Sequence, residues 1–273
     1  MSADSLTLDD LPPLKETLAA AGITARKSFG QHFLLDLNIT RKIARLASIA
    51  PGETVIEVGP GPGGLTRALL EAGAHVVAVE KDARFVPLLQ DLADRAPGRL
   101  EVLHEDALTA ALPAGAPIVA NLPYNVGTPL LIGWLAGPLQ PRSMTLMFQK
   151  EVADRIVAGP GSKTYGRLSV LAQALCEARI VMDLPARAFT PPPKVASAVV
   201  QLTPHRDRPA NAIVDRLQAL TAAAFGQRRK MLRSSLKLVG GETLCAAAGV
   251  DASVRAENVS VAQFLAMAAA PDA

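Results

Sequence analysis

Val55-Ile56-Glu57-Val58-Gly59-Pro60-Gly61-Pro62-Gly63-Gly64-Leu65-Thr66 decides the fold of this chain. An apolar run ends in a glycine-rich turn that opens directly into a helical pattern. At such a strand end the backbone turns tightly and can approach a ligand that side chains would obstruct. Taken alone, the turn is as often a plain loop. Two acidic positions downstream give it meaning. A second strand ends at Glu80, about 20 residues beyond the first glycine, where a carboxylate can accept from both ribose hydroxyls. A third strand leads into Glu105-Asp106-Ala107. Either acid could be an ordinary surface carboxylate. With the turn, however, they share the carboxyl edge of a parallel sheet, where open α/β sheets bind nucleotides. Gly59, Gly61, Glu80 and Asp106 are therefore candidate contacts to an adenosine-containing cofactor.

Around this core, apolar runs at 54–58, 75–80, 100–104, 117–120 and 143–148 read as strands, separated by helical stretches that start near Gly64, Ala83 and Thr128. The alternation predicts parallel strands joined by crossover helices. Two further strands fit 178–182 and 196–202. The link between them, with Pro191-Pro192-Pro193, is too short for a crossover helix, so the last strand is expected to pair antiparallel. Upstream, 13–21 is a short helical candidate and Arg26-Lys27-Ser28-Phe29-Gly30-Gln31-His32-Phe33-Leu34 is a basic and aromatic lead-in. A helix at 36–49 is expected to be capped by Asp36 and ended by Pro51-Gly52. Beyond Thr203-Pro204-His205-Arg206-Asp207-Arg208-Pro209, which has linker composition, only helices are predicted, at 212–224, 227–239, 242–248 and 261–269. The expected organisation is a lead-in at 1–35, a Rossmann-like α/β domain of seven strands at 36–204, and a small all-helical domain at 205–273.

With 273 residues, 49% of them apolar and 19% charged, the chain has ample material for a core and not the composition of a disordered protein. A net charge of +3 permits an anionic partner without requiring one. No stretch approaches the roughly 18 uninterrupted apolar residues of a membrane span. Residues 1–10 lack the apolar core of a signal peptide, so a cytoplasmic protein without membrane association is expected. Cys176 and Cys245 form no C-x-x-C pair and the histidines are scattered, which argues against a disulfide or a metal site.

The fourth strand separates a dinucleotide from S-adenosylmethionine. It runs into Asn121-Leu122-Pro123-Tyr124-Asn125, which has no obvious use in a nicotinamide enzyme but a clear one in methylating the N6 amine of adenine. The N6 lone pair is conjugated into the ring and must be reoriented. The Asn121 side-chain oxygen and a backbone carbonyl at Leu122 or Pro123 could take the two amine hydrogens, favouring a pyramidal nitrogen aimed at the sulfonium methyl, with the gain mostly positional. The sulfonium already activates the methyl group, so neither a metal nor a strong base is required. Tyr124 would stack on an extruded base. Phe189, just before Thr190-Pro191-Pro192-Pro193, could form the other face of the base pocket or equally be a core residue.

Lys27 to Leu34, Glu57 to Gly61, Asn121 to Tyr124, Gln149-Lys150-Glu151-Val152, Tyr165 to Val170, Phe189 to Val195 and Phe225 to Lys230 together resemble the ribosomal RNA adenine dimethyltransferase family. The likeness runs end to end and is greatest to the bacterial small-subunit group. It implies a seven-stranded methyltransferase fold, S-adenosyl-L-methionine as methyl donor, and a monomer acting in late subunit biogenesis. It also implies dimethylation of two adjacent adenosines in the 3′-terminal hairpin loop of 16S rRNA. Cofactor contacts fall on His32, Leu34, Gly59, Glu80, Asp106 and Asn121. His32 departs from the pattern, which carries asparagine there, although an imidazole can still donate to a cofactor carboxylate. Lys81 stands where an apolar residue is common and is expected to point away from the ribose.

On the RNA side, Arg228, Arg229, Lys230, Arg233 and Lys237 are the candidate contacts. Arg229, Arg233 and Lys237 fall at i, i+4 and i+8, one face of a continuous helix, with Phe225, Leu232, Leu236 and Val239 turned inward. A solvated helix face is the plain alternative, and the resemblance favours RNA. Two other readings share the catalytic motifs. A 23S rRNA adenine methyltransferase of the resistance type is disfavoured because Arg255 to Phe264 resembles the small-subunit group's carboxyl end. A non-catalytic ribosome-assembly factor is disfavoured by the intact motif set.

Overall fold

The computed structural model describes residues 10–26 and 30–270. In chain order its elements are α1 (Leu14–Ala20), β1 (Phe33–Leu34), α2 (Leu37–Leu46), β2 (Thr54–Val58), α3 (Gly64–Glu71), β3 (His75–Val79), α4 (Val86–Asp94), β4 (Leu100–Leu103), β5 (Ile118–Asn121), α5 (Gly127–Ala136), β6 (Met144–Gln149), α6 (Lys150–Val157), α7 (Arg167–Leu175), β7 (Cys176–Leu184), β8 (Phe189–Thr190), β9 (Ser197–Pro204), α8 (Asn211–Gly226), α9 (Leu232–Ser235), α10 (Gly241–Ala247) and α11 (Val261–Ala269).

Seven strands form one sheet in the order β4-β3-β2-β5-β6-β9-β7. The ladders β2–β3, β3–β4, β2–β5 and β5–β6 are parallel, as the βα alternation predicts. After an exposed first residue, the rest of β2 and β3 is buried. Crossover helices cover both faces of such strands, which is why their sequences read as apolar runs without alternation. Burying each Val or Ile there contributes about 1.5–3 kcal/mol. Strand order reverses at β2, with β3 and β4 on one side and β5 and β6 on the other. The carboxyl ends of β2 and β5 therefore flank a crevice.

Close packing of α3 requires its opening glycines. Gly63 has φ +84°, and a Cβ at Gly64 would meet Leu14 Cδ1 and the Leu34 carbonyl oxygen at 2.9 Å each. That contact brings α1 and β1 against the start of α3. Asp36 caps α2 by accepting from the Asn38 N–H at 2.9 Å, as expected. The helix ends at Leu46, earlier than the expected 49, and Ser48 follows with φ +52°. Arg41 binds Glu71 through two bonds of 2.7 Å, joining α2 to α3.

By internal contacts the chain divides into two compact units. One holds the described residues up to Leu131 with Pro138–Lys150 and Ile180–Gln201; the other holds Ile132–Gly137, Glu151–Arg179 and the described residues from Leu202 onward. In the second unit α8 packs against α7 and α11. Tyr165 is fully buried there, donates its hydroxyl to the Val259 carbonyl at 2.8 Å, and meets Phe225 edge-on. Ser260 and Gln263 form a reciprocal cap at the start of α11.

The continuous helix expected at 227–239 does not form. α8 extends to Gly226, α9 covers only Leu232–Ser235, and a 3-10 turn spans Lys237–Val239. Backbone pairing explains the break: Met231 bridges Arg255, Leu232 N–H donates to the Val254 carbonyl, and Arg233 N–H donates to the Ala252 carbonyl. These donors are spent on segment 252–255 and not on the preceding turn, so the basic residues do not form a helical ridge. No described helix is long and apolar enough to cross a membrane.

Candidate active site

A cavity of about 290 Å³ opens at the carboxyl ends of β2, β3 and β5. Its walls are Gly30 to Leu34 of the lead-in, the glycine turn, Glu80 and Lys81, segment 105–108 and segment 121–126. Every candidate cofactor contact lines it: His32, Leu34, Gly59, Gly61, Glu80, Asp106 and Asn121. So do Leu122, Pro123 and Tyr124.

Glu80 follows β3 and is nearly buried. Its carboxylate is fixed from two directions, by the Gly61 N–H to Oε2 at 3.0 Å and by the Asp82 N–H to Oε1 at 2.7 Å. Burial pushes its pKa up, and the two N–H bonds oppose that shift. Each oxygen keeps acceptor capacity for a ligand hydroxyl. At Gly61 φ is +54°, and a Cβ there would reach toward the Phe33 ring, 3.8 Å away, narrowing the cavity.

Lys81 turns toward Asp106. Its Nζ lies 2.7 Å from Asp106 Oδ2, and both residues line the cavity. Asp106 Oδ1 accepts from the Leu108 N–H at 3.1 Å. The lysine charge, with that bond, holds the Asp106 carboxyl below its ordinary value.

Asn121 is the last residue of β5, paired in register with Met147 of β6. The Pro123 carbonyl accepts the N–H groups of Val126 and Gly127, both at 3.1 Å, and so opens α5. Tyr124 places its hydroxyl 2.7 Å from Ser197 Oγ, and its ring stacks on His32 with centroids 5.5 Å apart and planes inclined by 30°. His32 Nδ1 lies 2.8 Å from the Pro191 carbonyl oxygen. A carbonyl only accepts, so Nδ1 carries a proton in this contact. The β1–β8 ribbon, in register Phe33 to Thr190 and Leu34 to Phe189, sets up this contact across its end.

Phe189 is the exception among the aromatic candidates. It is 3% exposed and packs in the core with Leu34, Val119 and Met147, off the cavity wall. Its register partner is the buried Leu34, so the ribbon turns the ring into the core.

Three neighbouring side chains escaped the sequence reading. Gln31 Nε2 donates to Asp82 Oδ2 at 2.8 Å, while Gln31 Oε1 accepts from the Arg26 N–H at 2.9 Å and from Arg84 Nη2 at 3.1 Å. Arg84 also binds Asp82 at 2.5 Å and the Thr24 carbonyl at 2.9 Å. Arg84 beside it holds the buried Asp82 carboxyl down to about 2. The signal available was slight: Asp82 stands two residues after Glu80, and Gln31 adjoins His32. Glu57 also lines the cavity, buried in β2 with Oε2 and the neighbouring Thr66 Oγ1 both lacking partners. Burial outweighs the relief that the Thr66 backbone N–H offers and pushes Glu57 up to about 8.

Of the basic candidates, Arg228 pairs with Glu257 at 3.0 Å and donates to the Lys163 carbonyl at 2.7 Å. Arg229, Lys230, Arg233 and Lys237 are exposed.

Residues 22–271 match the family model described as ribosomal RNA adenine dimethylase. The chain is 67% identical over 268 residues to ribosomal RNA small subunit methyltransferase A of Phenylobacterium zucineum, covering 96% of this chain and 94% of the relative. It is 55% identical over 270 residues to the protein of the same description in Rhizobium etli, covering 96% and 98%. Among solved structures it is similar to a dimethyladenosine transferase from Plasmodium falciparum, with TM-score 0.74, 26% identity, and coverage of 86% of this chain and 96% of that one. It is also similar to the 23S rRNA methyltransferase ErmE, with TM-score 0.66, 28% identity, and coverage of 86% and 98%.

Proposed function

Because the chain belongs to the ribosomal RNA adenine dimethylase family, we propose that it dimethylates the N6 amines of two adjacent adenosines in the 3′-terminal hairpin loop of 16S rRNA. The observation that carries this reading is the meeting of Asn121-Leu122-Pro123-Tyr124 with Glu80 and Asp106 on one cavity. One end is built for an adenosine-bearing donor, the other for an amine.

The residues fit that donor. Glu80 faces the cavity with its carboxylate already oriented by two N–H groups, and Gly61 leaves space that a side chain would fill. When bound, S-adenosylmethionine supplies a sulfonium-activated methyl group. Glu80 accepts from the ribose hydroxyls and Asp106 from the adenine amine. His32 donates its Nδ1 proton to Pro191, which leaves Nε2 free to meet the amino-acid part of the donor.

Asn121 Oδ1 and the Leu122 carbonyl take the two hydrogens of the target amine. The Pro123 carbonyl is the weaker candidate because two N–H groups already occupy it. Holding both hydrogens turns the nitrogen lone pair toward the methyl carbon, a positional gain. Tyr124 stacks on the extruded base, and the surplus proton leaves to water after transfer. The second transfer to each adenosine meets an N6-methylamine with one hydrogen left, which one of the two acceptors holds, and four transfers in all complete the reaction. Arg229, Lys230, Arg233 and Lys237 meet phosphates, and Arg228 serves by holding Glu257. The protein acts as a cytoplasmic monomer on the small subunit or its precursor.

The test supplies purified protein and labelled S-adenosylmethionine to small subunits lacking the modification, then digests the RNA. N6,N6-dimethyladenosine in 16S rRNA is expected; label confined to 23S rRNA would overturn the substrate.

A further inference from the structure

We infer that Gln31, Asp82 and Arg84 are positioning residues that tie the lead-in to the ribose-reading carboxylate, so that the two ends of the methyl donor are recognised as one unit. The inference rests on the reading of the cavity as the donor site. Asp82 and Arg84 lie off the cavity wall, and Gln31 stands on it with its side chain committed to Arg26, Asp82 and Arg84.

Asp82 is the joint. Its backbone N–H donates to Glu80 Oε1 at 2.7 Å, while its side chain accepts from Gln31 Nε2 at 2.8 Å and from Arg84 at 2.5 Å. One residue thus orients the acid that reads the ribose and anchors the segment carrying His32 and Leu34. Arg84 closes the circuit by reaching both the Gln31 side-chain oxygen at 3.1 Å and the Thr24 carbonyl at 2.9 Å. The Asp82 side chain is 4% exposed, so water competes little for these bonds. The geometry is specific to this set. Asparagine at 82 would keep the backbone bond to Glu80 but lose the charge that Arg84 meets, and lysine at 84 could not contact Asp82, Gln31 and Thr24 together.

A network that only stabilised the fold would affect every ligand of the cavity alike. This one joins the wall beside the donor's amino-acid part to the acid beside its ribose. S-adenosylhomocysteine spans both ends, whereas 5′-methylthioadenosine lacks the amino-acid part. Gln31→Ala leaves Asp82 and Glu80 in contact and releases only the lead-in, so it separates the two ligands.

Calorimetric titration of wild type, Gln31→Ala, Asp82→Asn and Arg84→Lys with both ligands, well below each variant's Tm, tests this. Gln31→Ala is expected to weaken S-adenosylhomocysteine about tenfold or more and methylthioadenosine by less than about threefold. Asp82→Asn should weaken both, and Arg84→Lys should follow Gln31→Ala more mildly. Turnover at saturating donor should stay within about threefold for Gln31→Ala, the loss falling on KM. Equal losses for the two ligands, or unchanged affinity with only a lower Tm, would overturn the inference. Failure of the wild-type protein to bind S-adenosylhomocysteine would instead sink the underlying donor-site reading.

Discussion

The Tyr124 hydroxyl lies 2.7 Å from Ser197 Oγ, so the last strand of the sheet to form in sequence, β9, steadies the aromatic ring at the end of the Asn-Leu-Pro-Tyr turn. Ser197 is fully buried and its bond fixes the ring's direction. Ser197→Ala should lower kcat about 3–10-fold, the worth of one hydrogen bond. Tyr124→Phe should do the same, and the double variant no more than either. Tyr124→Ala should lose about 10–100-fold through stacking. Additive effects of Ser197→Ala and Tyr124→Phe in steady-state assays would refute the coupling.

On the proposed reading, Asn121→Ala removes one of the two acceptors for the amine. Turnover should fall about 100–1000-fold, comparable to removing a transition-state hydrogen bond, while binding to small subunits is retained. A variant within threefold of wild type would remove Asn121 from the chemistry.

His32→Asn tests the contact to Pro191. An asparagine amide can donate to the Pro191 carbonyl and still present a second polar atom to the cavity. S-adenosylhomocysteine affinity should stay within about threefold. His32→Phe keeps the stack on Tyr124 but loses both polar contacts, and should bind about tenfold more weakly. Phenylalanine binding as well as asparagine would show that only the stack matters.

Glu57 predicts a pH dependence of stability. Its folded-state pKa is raised from 4.5 to about 8, so between those values the native state holds a proton that the unfolded chain releases. Stability contributed by this group is full below pH 4.5 and is lost as pH rises through about 8. Glu57→Gln should therefore flatten the fall in Tm across that window, each kcal/mol recovered appearing as about 2–4 °C. Parallel Tm curves for wild type and variant, measured by scanning calorimetry, would exclude a buried proton at this site.

On the RNA side, replacing Arg229 and Arg233 together by alanine should weaken subunit binding and reduce the slope of log K against log salt by about two. Arg228→Ala should act through stability, by at most about 1 kcal/mol for a half-exposed pair. An unchanged salt slope in the double variant would remove these two side chains from the phosphate contacts.

How much of this was legible in the sequence depended on whether a position is fixed by its neighbours in the chain or by partners far away. The glycine turn, Glu80, Asp106 and Asn121 all terminate strands of one parallel sheet, so recognising the βα alternation was enough to gather them. Helix α7 was missed because six of its nine residues are buried, which blurs the amphipathic period. The break after Gly226 was equally hidden, since Leu232, Arg233 and Met231 bond to residues 252–255. Lys81 and Asp82 show the same limit: each stands close to Glu80 in the chain, yet its contacts come from Asp106 or from Gln31 and Arg84. Phe189 was placed on the right loop, and only the pairing of Leu34 with Phe189 reveals that its ring turns inward.

The β1–β8 ribbon also sets a timetable. His32 meets Pro191 across 159 residues of chain, so this contact on the cavity wall cannot form until Pro191 has emerged from the ribosome that makes it. At about 5–20 residues per second, that interval is on the order of ten seconds or more. During it the glycine turn, Glu80 and Asp106 can already occupy a sheet whose ligand side stays open. On the proposed reading, full donor affinity comes only with Pro191, which precedes Ser197 by six residues, so this wall and the bond that steadies Tyr124 are completed nearly together.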